Sequence, residues 1–314
     1  MAVLPSIFRF PVLCVGAALL VTAAGCGSNS ATPASSATGE GATAKAPTRL
    51  TIGFVPTQEA DKTSQNAAPL VAYLEKELKM PVTAFTATNY AGLIEAMGSG
   101  KVDVGELPAL GYVLANEQNG AKLLCQTTRD GKSTYRTQFV ALASSPLKKI
   151  EEAKGKKMAF VDPGSTSGYL FPAAYLKKEG FDPEKFFSQT TFAGSHDAAI
   201  IAVYNGDVDV AAVYEDARNV VSRNPAYKDV KSKVKVIGYS APIPNETFST
   251  RADLDPALSA KIHDALLTYA KTPEGKKTLN SILDVDGLHD GKDSDYDVVR
   301  QTAKTMDLGP DSLG

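Results

Sequence analysis

The sequence is poor in the residues that build disulfide scaffolds and metal centres, with three cysteines and three histidines in 314 residues. Cys14 lies in an N-terminal apolar run and Cys26 at its end, so Cys125 stands alone in the remainder and an internal disulfide is excluded there. Cys125 sits in AKLLCQTT, an apolar strand-like stretch, and reads as a buried packing thiol rather than a nucleophile. The histidines, 196, 263 and 289, are far apart, and no H-x-x-x-H or C-x-x-C spacing exists, so no metal or cofactor is expected. DVDGLHD begins like a calcium loop but places its Gly too early and lacks a correctly spaced Glu. Charge of one sign is also missing: the formal net charge is −2, which gives no reason to expect nucleic acid. The run VLCVGAALLVTAA is too short to span a bilayer.

That run follows Arg9 and ends in AAGC at 23 to 26, the pattern of a secretory signal over residues 1–25. Its small-small-Gly-Cys ending resembles a bacterial lipobox. The resemblance implies acylation of Cys26 and anchoring to the outer face of the cytoplasmic membrane. It departs at Ala23, where Leu is more usual, and cleavage nearby without lipid is the alternative. Residues 26–48 are almost entirely small and polar, with nothing apolar to bury, and read as a flexible tether. A folded region then begins near Leu50. Its length of about 265 residues is ample for a core and suggests two lobes.

From Leu50 strands alternate with helices. RLTIGFVP, PVTAFTA, KVDVGEL, KLLCQTT, TQFVALAS, KKMAFVD, QTTFAG, VDVAAV and VKVIGY read as strands. Helical stretches lie between them, including NAAPLVAYLEKELK, YAGLIEAMGSG, SGYLFPAAYLKKEG, HDAAIIAVYNG and EDARNVVSR. From Asp255 onward the chain looks helical in three pieces. This alternation predicts an α/β fold with mostly parallel sheets covered on both faces. An internal echo sharpens it: NYAGLIEAMGSGKVDV (89–104) aligns without gaps on SHDAAIIAVYNGDVDV (195–210). Each copy runs a helix to a Gly and hands over to a buried strand, so Tyr90 and His196 take equivalent places at helix starts. Ligands of open α/β sheets bind where such starts converge. A third start, DPGSTSGYLFP, carries Ser165 and Thr166.

By itself DPGSTSGYLFP is either a turn with an N-cap or an anion cradle. A hydrolase elbow requires G-x-S-x-G, but GSTSG centres on Thr166, which usually needs an N-terminal amine as base. A secreted phosphoester hydrolase using Thr166 or Ser165 is kept as the competing class. GLHDGKD (287–293) is one residue short of a P-loop and ends in Asp, so it reads as a surface loop. His263 in AKIHDALL reads as an ordinary helix residue, whereas His196 opens a helix where imidazole can donate to an anion.

Taken in order, TNYAGLIEAM, KVDVGEL, STYRTQFVA, DPGSTSGYLFP, AGSHDAAIIAVYNGDVDVAAV, PIPNETF and YDVVRQTAK resemble the substrate-binding components of phosphate, phosphite and phosphonate ABC importers. The resemblance runs from about Leu50 to Leu308. It implies a two-lobed type II periplasmic-binding-protein fold that catalyses nothing and closes on a phosphorus oxyanion for delivery to an ABC permease. A receptor serving a membrane signalling partner is the remaining alternative. Lobe one would hold residues 49–143 and 243–314 and lobe two residues 147–238, with hinge crossings at 144–146 and 239–242. The family's anion pocket falls on Tyr90, Tyr135, Ser165, Thr166 and His196. Tyr135 comes from the resemblance alone. No Arg or Lys falls at these pocket positions, although Arg136 is adjacent to Tyr135, and His196 would be the pH-sensitive member. In aminoalkyl-phosphonate binders acidic residues hold the amine, and the matching positions here are Asp216 and Glu246. Asp216 could equally cap a helix, and Glu246 could be exposed.

Overall fold

The computed structural model describes residues 47–58, 60–309 and 312. The leader expected over 1–25, Cys26 and the tether as far as residue 46 lie outside the described residues. The first lobe opens with β1 (Leu50–Phe54), α1 (Ala60–Leu78), β2 (Val82–Thr86), α2 (Tyr90–Gly98), β3 (Val104–Leu107), α3 (Ala109–Asn119) and β4 (Lys122–Thr128). After the two-residue β5 (Thr134–Tyr135), the second lobe runs through β6 (Thr137–Leu142), β7 (Lys157–Phe160), α4 (Phe171–Lys178), α5 (Pro183–Phe186) and β8 (Gln189–Phe192). It continues with α6 (His196–Asn205), β9 (Val210–Tyr214), α7 (Arg218–Val221), α8 (Val230–Lys233) and β10 (Val234–Tyr239). The chain returns by β11 (Ile243–Pro244) and β12 (Thr247–Thr250), then adds α9 (Pro256–Lys271), α10 (Pro273–Leu283), β13 (Gly287–His289) and α11 (Asp297–Thr305). The three helical pieces expected after Asp255 are α9, α10 and α11.

Two sheets result, ordered β13-β4-β12-β3-β1-β2 and β10-β6-β9-β7-β8. They are mixed, not mostly parallel. Pairs β1–β2, β1–β3, β7–β8 and β7–β9 are parallel, while β12 and β6 run antiparallel to both their neighbours. The cause is the crossing itself. A strand arriving from the other lobe enters beside the C-terminal ends of the parallel strands, so Thr247 pairs with Leu107 and Thr137 with Tyr214.

The same pairing moves the lobe boundary. Residues 137–142, placed in lobe one by the sequence reading, form β6 inside the second sheet. The first crossing therefore lies before residue 137, not at 144–146. The second leaves β10 at Tyr239 and passes through β11, which pairs with β5 through Ile243↔Tyr135.

Burial explains why these segments form these elements. Leu50, Ile52 and Phe54 of β1 pack with Leu70 and Leu74 of α1, Ile262 and Leu266 of α9, and Ile282 of α10, all fully or nearly fully buried. Each such side chain contributes about 1.5–3 kcal/mol, which is how helices far apart in sequence are held on one sheet. Cys125 is buried in the same cluster, and burial pushes its thiol up to about 12, as suits a packing residue. In the echoed units, Asn89 and Ser195 both cap their helices by accepting a backbone N–H three residues on. Gly100 and Gly206 both sit at positive φ, 72° and 81°, where a side chain would be strained. Two local expectations change. EDARNVVSR shrinks to α7 because Asp216 adopts a left-handed φ of 66°. GLHDGKD contributes β13, an edge strand on β4, instead of being wholly loop.

Candidate ligand-binding site

Three chain segments that start helices meet between the sheets. Tyr90 is the first residue of α2, fixed by Asn89 Oδ1 accepting the Gly92 N–H at 2.8 Å. Ser165 Oγ accepts the Gly168 N–H at 3.0 Å and opens a π-helical turn over Thr166–Leu170 that leads into α4. A Cβ at position 168 would lie 2.5 Å from Val161 Cβ, so only glycine lets this turn close onto the end of β7. His196 is the first residue of α6. Free N–H groups at such starts favour an anion.

These residues line one small, partly enclosed cavity together with Glu106, Arg129, Tyr135, Ser167, Tyr214 and Glu246. Tyr135 stands inward, 4% exposed. Glu246 is not an exposed acid: its Oε2 accepts from Thr127 Oγ1 at 3.0 Å, and its Oε1 lies 3.3 Å from Arg129 Nη2. Thr166 is buried but outside the cavity lining, and its hydroxyl accepts the Leu110 N–H of the opposite lobe at 2.8 Å. Asp216 also lies outside, on a neighbouring acidic groove with Glu215, Asp284 and Asp286. It does not cap α7 through its side chain, since no side-chain cap is made there.

The electrostatics are set by burial. Desolvation holds the Tyr90, Tyr135 and Tyr214 phenols well above their ordinary range, so all three are neutral donors. His196 is pushed down to about 3 by burial and by Arg129. Its Nδ1 accepts the Tyr214 N–H at 3.3 Å, which puts the ring proton on Nε2. His196 is therefore a neutral donor across the physiological range and not the pH-sensitive member expected from sequence. Burial and Glu246 raise the Glu106 carboxyl well above the usual range against the opposing pull of Arg129.

Sequence reasoning missed three of these groups, Arg129, Tyr214 and Glu106. Arg129, at the end of β4, supplies the cation that the expected pocket positions lacked. Burial works against its charge, but Glu246, Tyr214 and Asp284 outweigh it. Its guanidinium donates to the Asp284 and Leu283 carbonyls at 2.6 and 3.2 Å and lies 4.8 Å above the Tyr214 ring. Tyr214 falls between VDVAAV and EDARNVVSR without any signal of its own, whereas Ser167 is a hydroxyl of the same STSG turn that carries Ser165. Glu106 had one, a charged residue closing the apolar strand KVDVGEL. Among the described residues the Tyr90 hydroxyl and both Glu106 carboxyl oxygens are buried without a hydrogen-bond partner.

Two lobes of like topology, joined by paired crossing strands and enclosing a donor-lined cavity, define a ligand receptor of the periplasmic-binding-protein class. The family model for the ABC transporter, phosphonate, periplasmic substrate-binding protein matches residues 52–296, and the chain belongs to that family. It is 30% identical over 238 residues to the phosphonates-binding periplasmic protein of Escherichia coli, covering 74% of this chain and 70% of that one. It is 31% identical over 229 residues to the phosphate-import protein PhnD of Mycolicibacterium smegmatis, covering 69% and 70%. The crystal structure of a binding-protein component of the ABC phosphonate transporter from Pseudomonas aeruginosa superposes with a TM-score of 0.76 at 26% identity, covering 82% of this chain and 86% of that one. The chain is thus an ABC-importer substrate-binding protein of the cell envelope with the two-lobed α/β fold expected from sequence.

Proposed function

We propose that this protein captures a phosphorus oxyanion, a phosphonate, phosphite or phosphate, between its lobes and presents it to an ABC permease while tethered to the membrane by lipid on Cys26. The observation that carries the reading is the meeting of Tyr90, Ser165 and His196, at helix starts from both lobes, with Tyr135 of β5, all neutral donors on one small cavity. Each charge-assisted hydrogen bond to a desolvated oxyanion contributes about 1.5–3 kcal/mol, so such donors hold an anion without a free cation. Arg129 adds a positive field while its own fork is held by Glu246 and backbone carbonyls. Thr166 joins the lobes when they close, and Asp216 and Glu246 border the side toward which a ligand substituent would extend. Closure is a ligand-driven shift about the β5 and β11 crossings.

The protein performs no reaction in this reading. A phosphoester hydrolase needs a base for Ser165 or Thr166, and the imidazole in the cavity is a poor one: its Nδ1 is bonded to the Tyr214 N–H and its proton affinity is low. Calorimetric titration of the purified protein with phosphite, methylphosphonate, 2-aminoethylphosphonate, phosphate and sulfate tests the assignment. At least one phosphorus ligand binds, His196→Ala weakens it at least tenfold, and no chromogenic phosphoester is turned over. Failure of all the phosphorus ligands, with binding of a sugar or amino acid instead, overturns it.

A further inference from the structure

The cavity that presents neutral donors from three helix starts also presents an acid with nothing to bind. Glu106 is 1% exposed, and neither of its oxygens has a hydrogen-bond partner among the described residues. Leaving a buried carboxyl unmatched is costly, and one that lines a ligand cavity is placed for the ligand to complete it. We propose that Glu106 shares one proton with the bound oxyanion, so that once Glu106 is ionised the pocket takes a phosphorus acid in a singly protonated state and discriminates against anions that carry no acid proton. This rests on the phosphorus-oxyanion reading above.

The argument is one of charge and space. Glu246, the other acid of the cavity, is matched by Arg129 and Thr127, so its oxygens are already engaged. Glu106 shares a small, partly enclosed cavity with the anion donors Tyr90, Ser165 and His196. A tetrahedral head held by those donors must therefore turn an oxygen toward Glu106. Two anionic oxygens cannot sit side by side in a desolvated site, and a proton between them converts the repulsion into a hydrogen bond. The proton then belongs to the pair and not to either partner. The groups facing Glu106 are Glu246, which favours its protonation, and Arg129, which opposes it, with the neutral Tyr90 and Tyr135 phenols beside it. His196 on α6 supplies the cavity's imidazole, so it is the control for proton uptake.

The test is proton counting by calorimetry of inorganic phosphate and methylphosphonate binding, in buffers of differing ionisation enthalpy, about one pH unit above each ligand's second ionisation. The wild-type protein is expected to take up about one proton per ligand bound where Glu106 is ionised in the free protein and none where it still carries its own proton, so the count rises with pH, and Glu106→Gln to bind with none throughout. Sulfate is expected to bind the wild type more weakly, with an affinity that falls tenfold per pH unit once Glu106 ionises. Binding of phosphate and methylphosphonate without proton uptake at a pH where the sulfate affinity has already fallen overturns the proposal, as does a sulfate affinity independent of pH, and this arm needs no variant to fold. The same uptake in Glu106→Gln assigns the proton to His196 and also overturns it. Tighter binding of 2-aminoethylphosphonate that Glu106→Gln abolishes, again without proton uptake, gives Glu106 to an ammonium group instead. If no phosphorus oxyanion binds the wild type, the parent reading fails and this one with it.

Discussion

Strand order β2-β1-β3-β12-β4 in lobe one matches β8-β7-β9-β6-β10 in lobe two, with β12 and β6 as the incoming crossing strands in each. The matched places carry different chemistry. Helix α2 opens with Tyr90, whose hydroxyl has no hydrogen-bond partner among the described residues, and α6 opens with His196, whose ring is fixed by the Tyr214 N–H. Where β3 carries the unmatched Glu106, the echoed position of β9 carries the apolar Ala212. Lobe two is thus a finished donor surface, and lobe one holds the groups that a ligand must complete. A repeated fold fixes where helix starts meet, while single residues at those starts and at strand ends decide what the meeting place binds.

Arg129 is where this comparison can be broken most severely. It leaves lobe one at the end of β4, neutralises Glu246 and Asp284, and lies over Tyr214 of lobe two. Arg129→Met would leave the Glu246 carboxylate buried without a cation. We expect a loss of about 3–5 kcal/mol in urea unfolding, with an unchanged dependence on denaturant. A loss below about 1 kcal/mol would mean that the neighbouring acids simply take up protons and that lobe one tolerates its unmatched groups cheaply.

Titration sharpens the same contrast with opposite signs. His196 has its folded pKa depressed to about 3, below the unfolded value of about 6.5. Its neutral burial therefore contributes stability that is complete above the unfolded pKa and is lost as pH falls toward the folded one. Glu106 has its folded pKa raised, so its contribution is present below its unfolded pKa and is lost as pH rises through the folded one. Between neutrality and about pH 5, the wild-type protein should lose stability and His196→Gln should lose less. Glu106→Gln should leave that acid limb in place and gain stability on the alkaline side. Identical acid limbs in wild type and His196→Gln would remove His196 from this account.

Much of this was legible before any coordinates. The nine strands, the echo of 89–104 on 195–210 and the placing of Tyr90, Ser165 and His196 at helix starts came from periodicity and capping chemistry, which are local. What escaped depends on distance in space. The boundary near residue 137 could not be read, because TQFVALAS is a strand in either lobe until its partners are known. Thr166 looked like a ligand donor, since a hydroxyl beside Ser165 says nothing of the Leu110 N–H arriving from the other lobe. His196 looked titratable because neither its burial nor the Tyr214 N–H is visible in GSHDAA. Glu106 stood in plain view in KVDVGEL, but its lack of a partner is a property of the whole cavity.

The last contrast sets two links between the lobes against each other, and burial decides which matters more. The Leu110 N–H to Thr166 Oγ1 bond is fully buried, whereas Arg223 of lobe two, 43% exposed, reaches Asp284 and Asn280 of lobe one at 2.6 and 3.0 Å. Both exist only when the lobes meet, so each should alter ligand affinity more than resistance to unfolding. Thr166→Val leaves the Leu110 N–H unpaired in the closed form, a cost of about 1–3 kcal/mol or roughly tenfold in affinity, and one that added salt does not relieve. Arg223→Ala removes a screened pair, for which about 0.2–1 kcal/mol is expected, under fivefold in affinity, and a deficit that shrinks as salt rises. Calorimetry with one phosphorus ligand at low and high salt measures both. If Arg223→Ala proves the more damaging at high salt, closure is governed at the rim, and the buried Thr166 contact is a consequence of it.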